Sequence, residues 1–306
     1  MWAMMKRGVD GKLKLSEEDL KLFFKLHPAL LFYANRQLKI VGGVPTLEKF
    51  MELPLERKLK IRNALYDHMA LIDSFVAENP FNFSPEELEI IAGWKNLVKG
   101  TFYLLRYLER YAIFLSVGTP PKAYGVVALT NTFQDILGSG LPIMLEAVLL
   151  PFKGQIVYDG FLIPYRIIFG GGIRRELNDK YREAKFKFGI ITSLPPPREE
   201  EKSDAELLRF YLRTESNRQR YREEIERLIN KNPHLLRIYH QEMGKIHART
   251  YGKRLQEMGL SDAWFAILEG TIIASGTTQK QVKQILKEIL PAEKRELAYI
   301  FHLRRK

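Results

Sequence analysis

Cysteine is absent from this 306-residue chain, which excludes disulfides, thiolate metal sites and cysteine nucleophiles and fits a reducing compartment. Histidine is scarce: the six are His27, His68, His234, His240, His247 and His302, with none between 69 and 233. Chemistry in that middle stretch would rest on carboxylates, tyrosine, hydroxyls or bases. Long apolar runs are also missing. The most apolar segment, LPIMLEAVLLPF, is too short to span a bilayer and carries Glu146. The opening MWAMMKRGVDGKLK meets its first charge after five residues, too soon for the apolar core of a signal peptide. No Walker loop, dinucleotide fingerprint or i,i+4 zinc helix occurs, so neither a cofactor nor a metal is expected. These absences lead us to expect a cytoplasmic protein with no membrane partner.

What is present is apolar mass and positive charge. Apolar residues make up 46% of the chain, enough for sizeable cores. The net charge is +12. Counting Lys+Arg minus Asp+Glu, residues 1–100 give 15 − 13, residues 101–202 give 13 − 10 and residues 203–306 give 20 − 13. More than half the excess lies in the last third. Such a balance favours polyanionic partners without specifying an activity.

The pattern predicts an α+β fold: a helical N-terminal region (1–98), an antiparallel β-rich core with a covering helix (99–193), a linker (194–204), a basic helical pair (205–259) and a small ββαβ unit (260–306). Ser16 is a plausible N-cap, and Pro28 should open a second helix. Ser84-Pro85-Glu86-Glu87 has the form of a capping box, followed by Leu88, Ile91, Trp94 and Val98 at helical spacing. Residues 101–170 hold only nine charges and are rich in aromatic and β-branched residues, as strands are. Lys153-Gly154 and Asp159-Gly160 have the composition of tight turns. Residues 173–187 should form a helix lying on the sheet. SLPPPREEEKSD marks the boundary, because three prolines continue neither helix nor central strand. The end reads strand, turn at Glu269-Gly270, strand, helix, strand.

Three sites stand out, each with an ordinary explanation beside it. In the helical pair, Tyr211, Thr214, Arg218, Tyr221, Ile225 and Leu228 recur at seam spacing. At 100° per residue, Arg209, Arg213, Arg220 and Arg227 then share an outward arc, to which Lys245 and Arg249 add. The arc could track phosphates, or be a solvated face flanked by Glu206, Glu223 and Glu224. Gly170-Gly171-Gly172, followed by Arg174 and Arg175, could bind an anion at a helix start, or be a flexible strand-to-helix turn. Glu146 is a general-base candidate if buried, with Arg106, Arg110 or Arg166 as partner, and an ordinary alternating residue if it faces water; Asp159 is the other catalytic candidate.

The run AVLLPFKGQIVYDGFLI, with FGGGIRRELNDKYREAKFKFGIITSLP after it, resembles a group of uncharacterised bacterial proteins. The end, from Trp264-Phe265-Ala266 through Ile273-Ala274-Ser275-Gly276 to Val282 and Leu286, looks like a small ββαβ module of unknown function. The resemblance implies a bacterial, cytosolic setting and brings no activity. The reading that follows is a non-enzymatic, nucleic-acid-associated protein, with RNA or a ribonucleoprotein ahead of duplex DNA because no groove-reading helix motif is present. A protein–protein adaptor is the alternative. A hydrolase or nuclease acting on a phosphate-bearing substrate comes third.

Overall fold

A computed structural model describes residues 14–197 and 202–304. The chain divides into two compact units, Met1–Glu200 and Glu201–Lys306, each with its own apolar core. In the first unit, α1 (Glu17–Leu38) begins where the Ser16 hydroxyl accepts the Asp19 N–H at 3.1 Å. The break expected at Pro28 does not occur, and Pro28 lies inside α1. Its missing N–H costs one helical bond, but Phe23, Leu26, Leu30 and Leu31 on either side are all buried, and their shared packing carries the helix through. Next come α2 (Leu47–Met51), α3 (Leu55–Asp67), α4 (Ala70–Glu78) and α5 (Pro85–Gly93). The capping box forms at Ser84 and Glu87. However, α5 stops at Gly93; Trp94–Asn96 make one 3-10 turn, and Val98 already belongs to the first strand.

That strand is β1 (Val98–Tyr107), followed by β2 (Ala112–Ser116), β3 (Ala123–Val127), the short α6 (Phe133–Leu137), β4 (Ile143–Phe152) and β5 (Gln155–Pro164). The expected antiparallel pairing is present between β1 and β2, β2 and β3, β1 and β4, and β4 and β5. Closure is the unexpected feature. β3 also pairs in parallel with β5, through Val126↔Ile156 and Val127↔Val157, so the ring runs β1-β2-β3-β5-β4 and back to β1. A meander of three strands with the fourth beside the first is a Greek key. The fifth strand closes it into a five-stranded barrel of the architecture used by OB-folds. Phe133 of α6 plugs one end, its ring 5.0 Å from that of Phe114 and 5.4 Å from that of Tyr158.

The turn expected at Asp159-Gly160 is instead a bulge inside β5. Ala147 pairs with Leu162 but Leu149 pairs with Tyr158, so β5 carries extra residues there. Gly160 takes φ +90, which a side chain would resist. Beyond β5, α7 (Gly171–Phe188) lies on the barrel as its sequence predicts. Leu177, Tyr181 and Ala184 pack on Ile113, Leu115 and Ala123, the outer side of β2 and β3. β6 (Ile190–Ile191) then pairs in parallel with the start of β3.

In the second unit, the expected helical pair proves to be four helices: α8 (Asp204–Leu212), α9 (Glu215–Arg220), α10 (Arg222–Lys231) and α11 (His234–Glu257). The residues that look like polar intruders in an apolar seam are those that hold the first break. Thr214 is extended and accepts the Asn217 N–H at 3.1 Å. The Asn217 amide donates to the Phe210 carbonyl at 2.9 Å, and the Arg218 guanidinium to the Leu212 carbonyl at 2.8 Å. They serve the carbonyls that a broken helix leaves open.

The terminal elements are β7 (Ala263–Leu268), β8 (Thr271–Gly276), α12 (Gln279–Ile289), α13 (Ala292–Arg295) and β9 (Tyr299–Leu303). β8-β7-β9 form an antiparallel sheet. Val282 and Leu286 of α12 cover one face, against Ala266 and Ala274. α11 crosses β9 at Gly244, where an added Cβ would lie 2.2 Å from Cβ of Tyr299. Among the described residues, no helix is long and apolar enough to cross a membrane.

Candidate functional site

The cations that the sequence singles out in the second unit are exposed. Arg209, Arg213, Arg220, Arg227, Lys245 and Arg249 all face solvent. The single arc assumed for the first four does not survive the helix breaks at Thr214 and Tyr221, since an angular sum holds only along one continuous helix. Among the described residues no ion pair engages Arg213, Arg227 or Arg249. Arg209 and Lys245 share one acid: Glu242 lies 4.0 Å from Arg209 and 2.7 Å from Lys245. Arg220 lies over the Tyr221 ring at 5.7 Å.

The regular row of charge is on α11. Lys245, Arg249 and Lys253 follow at four-residue steps, so they stack along one face over about 12 Å, and Arg249, Thr250, Lys253, Arg254 and Glu257 border a shallow depression. Sequence reasoning missed Lys253 and Arg254 because it took its periodicity from the helices before α11. The 24 unbroken residues of α11 are where a helical stripe is geometrically real. Tyr211 and Tyr221 are buried and stacked on each other at 4.3 Å, so neither presents a ring to a base. On another side of α11, Tyr239, His240, Met243 and His247 line a cleft with Ile267 and the Glu269-Gly270 turn. Burial holds the His240 pKa below its usual value, with Glu269 opposing. Among the described residues, no cluster of three or more His, Asp or Glu has the arrangement of a metal site.

In the first unit, Gly170 is the N-cap of α7, and Gly171 and Gly172 form its first turn; all three are exposed, and no side chain caps the helix. Arg174 and Arg175 are exposed one turn on, with Nε of Arg174 donating to the Phe169 carbonyl at 3.0 Å.

The two carboxylate candidates lie in opposite environments. Glu146 faces outward from β4, and the arginines weighed as partners are not what it meets: its partner is the Tyr165 hydroxyl, which donates to it. Arg106 instead donates to Asn178 at 2.8 Å and lies over the Tyr181 ring. Glu146 borders a cleft of about 290 Å³ lined with Arg62, Asn63, Asp67, Lys99 and Thr101. Asp159 is buried. It accepts from Nε of Arg62 at 2.6 Å and from the Phe161 N–H at 3.2 Å. Burial raises its pKa, with the Arg62 guanidinium pulling the other way. Tyr66 lies alongside, its hydroxyl 3.2 Å from Nε2 of His27. Burial, and then the Asp159 charge, push the Tyr66 pKa well up. This chain of groups ties α1 and α3 to β5. A carboxylate so enclosed and paired is a structural tie, and sequence could not disclose it because Arg62 lies 97 positions away.

No family model matches this chain, and it has no match among curated proteins or solved structures. The barrel therefore rests on strand pairing alone, and architecture by itself carries no activity.

Proposed function

We propose that the protein is a non-enzymatic, nucleic-acid-associated protein that contacts RNA or a ribonucleoprotein through the cations of α8 to α11. The observation that carries this reading is the face of α11, where Lys245, Arg249 and Lys253 are exposed in one row and Arg249 has no acidic partner among the described residues. Arg213 and Arg227 add unpaired exposed charge in the same unit. Phosphate contact by such groups is sequence-independent and driven by counterion release. A bacterial, cytoplasmic setting belongs to the same reading; the cysteine-free composition fits a reducing compartment, and the bacterial part rests on the resemblance alone.

The barrel does not offer the surface that nucleic-acid-binding OB-folds use. OB-fold proteins that bind oligonucleotides use the outer face of strands 2 and 3 and the loops β1–β2 and β4–β5. Here α7 covers that face, and β4 turns into β5 through Lys153-Gly154 alone. A single strand would find its customary surface occupied.

Retention of the full chain on immobilised RNA should fall steeply as salt rises, the logarithmic slope counting the phosphates neutralised. Reversing Lys245, Arg249 and Lys253 to Glu should reduce that slope by about one for each lost contact while leaving the melting temperature nearly unchanged. Undiminished retention of the triple variant rejects the reading.

A further inference from the structure

Among the described residues of the first unit, 163–175 is the most water-exposed apolar stretch. Ile163, Tyr165, Ile167 and Ile173 are exposed, and Ile168 is 96% exposed. Exposed apolar residues gathered in one stretch mark a contact surface more often than chance. The cause of the exposure is local and visible. After Pro164 the chain leaves the sheet, with the Tyr165 N–H still donating to the Met144 carbonyl and the Ile167 N–H to the Tyr165 carbonyl, both at 2.9 Å. Phe169 then turns inward and is buried, its ring edge-on to Tyr103 at 5.7 Å. With Phe169 held inward, Ile167 and Ile168 before it are left in solvent. The Arg174 guanidinium bonds the Phe169 carbonyl and fixes the turn. The tip is braced, not slack.

Charge completes the pattern. Arg166, Arg174 and Arg175 are exposed within the same stretch, and no acid occurs from Ile163 to Arg175. A polyanion alone would engage the arginines and leave the isoleucines in water. A wholly apolar partner would leave three cations unmatched. An anionic bilayer surface takes both, because aliphatic tips enter the acyl boundary while arginines meet the phosphates above it.

We propose that residues 163–175 form a peripheral membrane contact, with Ile167, Ile168 and Ile173 entering the surface of an anionic leaflet and Arg166, Arg174 and Arg175 held at its headgroups. Among the described residues no helix is long and apolar enough to cross a membrane, and this contact requires none. It uses no residue of the α11 row, so it stands apart from the nucleic-acid reading.

The test is co-sedimentation of the full chain with vesicles of phosphatidylcholine alone and of phosphatidylcholine with phosphatidylglycerol. The wild-type protein should pellet with the anionic vesicles and remain in solution with the neutral ones. Ile168→Asp should weaken the anionic binding at least about tenfold, as should reversal of Arg166, Arg174 and Arg175 to Glu, each with an unchanged melting temperature. If Ile168→Asp impairs folding, Ile168→Ser is read in its place. Reversal of Lys245, Arg249 and Lys253 should leave vesicle binding largely intact. Equal pelleting with neutral vesicles, or full binding by the Ile168 variant, overturns the proposal. So does a wild-type protein that ignores both vesicles; self-association abolished by Ile168→Asp would then assign the tip to a second copy of the chain.

Discussion

His27 is an imidazole kept out of water. It stacks on Phe23 at 5.2 Å and meets Trp94 edge-on at 5.5 Å. Burial, with the Arg62 charge adding, lowers its pKa to about 3. The sign follows directly. Between pH 6.5 and about 3 the unfolded chain binds a proton at this position and the folded chain does not, so acidification favours unfolding. The stability contributed by neutral His27 is complete above about pH 6.5 and drains away as pH falls toward 3, at up to ~1.4 kcal/mol per pH unit. Urea denaturation across this range should show a shallower acid limb for His27→Phe, which keeps the ring packing and cannot titrate. The raised Asp159 pKa acts in the opposite sense and is present in both proteins, while the Tyr66 hydroxyl beside it loses its His27 partner in the variant. Gly244 makes a second residue-scale case. With Tyr299 Cβ where the side chain of alanine would go, Gly244→Ala should destabilise the second unit by about 1–3 kcal/mol or more. Amide hydrogen exchange should show lost protection confined to residues 202–304.

Elements tell where sequence could be read and where it could not. Capping at Ser16 and Ser84, the Lys153-Gly154 hairpin, α7 and the ββαβ order of the terminus were all legible, because each depends on residues within a few positions of one another. Pro28 misled because a buried face outweighed one missing N–H. Thr214 and Arg218 misled because seam periodicity looks the same whether or not the helix is continuous. Capping decides it. Thr214→Ala should therefore cost about 1 kcal/mol, and Asn217→Ala a similar amount through the lost bond to Phe210; thermal unfolding of single and double variants would measure both. The Thr214 hydroxyl accepts from the Asn217 backbone N–H, which alanine keeps, so the two substitutions remove separate bonds and the double variant should lose about the sum of the two costs.

At the scale of the molecule, composition foretold a mixed fold with its positive charge gathered toward the end. Nothing in it foretold a closed ring. The parallel seam joins Val126 to Ile156, thirty positions apart, and no local pattern encodes which strand a distant strand will meet. The candidate interface was legible in the same uneven way: Lys245 and Arg249 were visible as residues, and their alignment with Lys253 became clear only once α11 was known to run unbroken.

The seam also governs how the chain must assemble. The hairpins β1–β2, β2–β3 and β4–β5 can form from neighbouring residues, but the ring stays open until β5 reaches β3 across α6 and β4, and such non-local pairing is slow relative to hairpin formation. Until then, an apolar strand edge at Val126 and Val127 is bare. A nascent chain emerging as far as β4 would thus present a sticky template to other copies of itself, and the last piece that hides it is made some thirty residues after the edge appears.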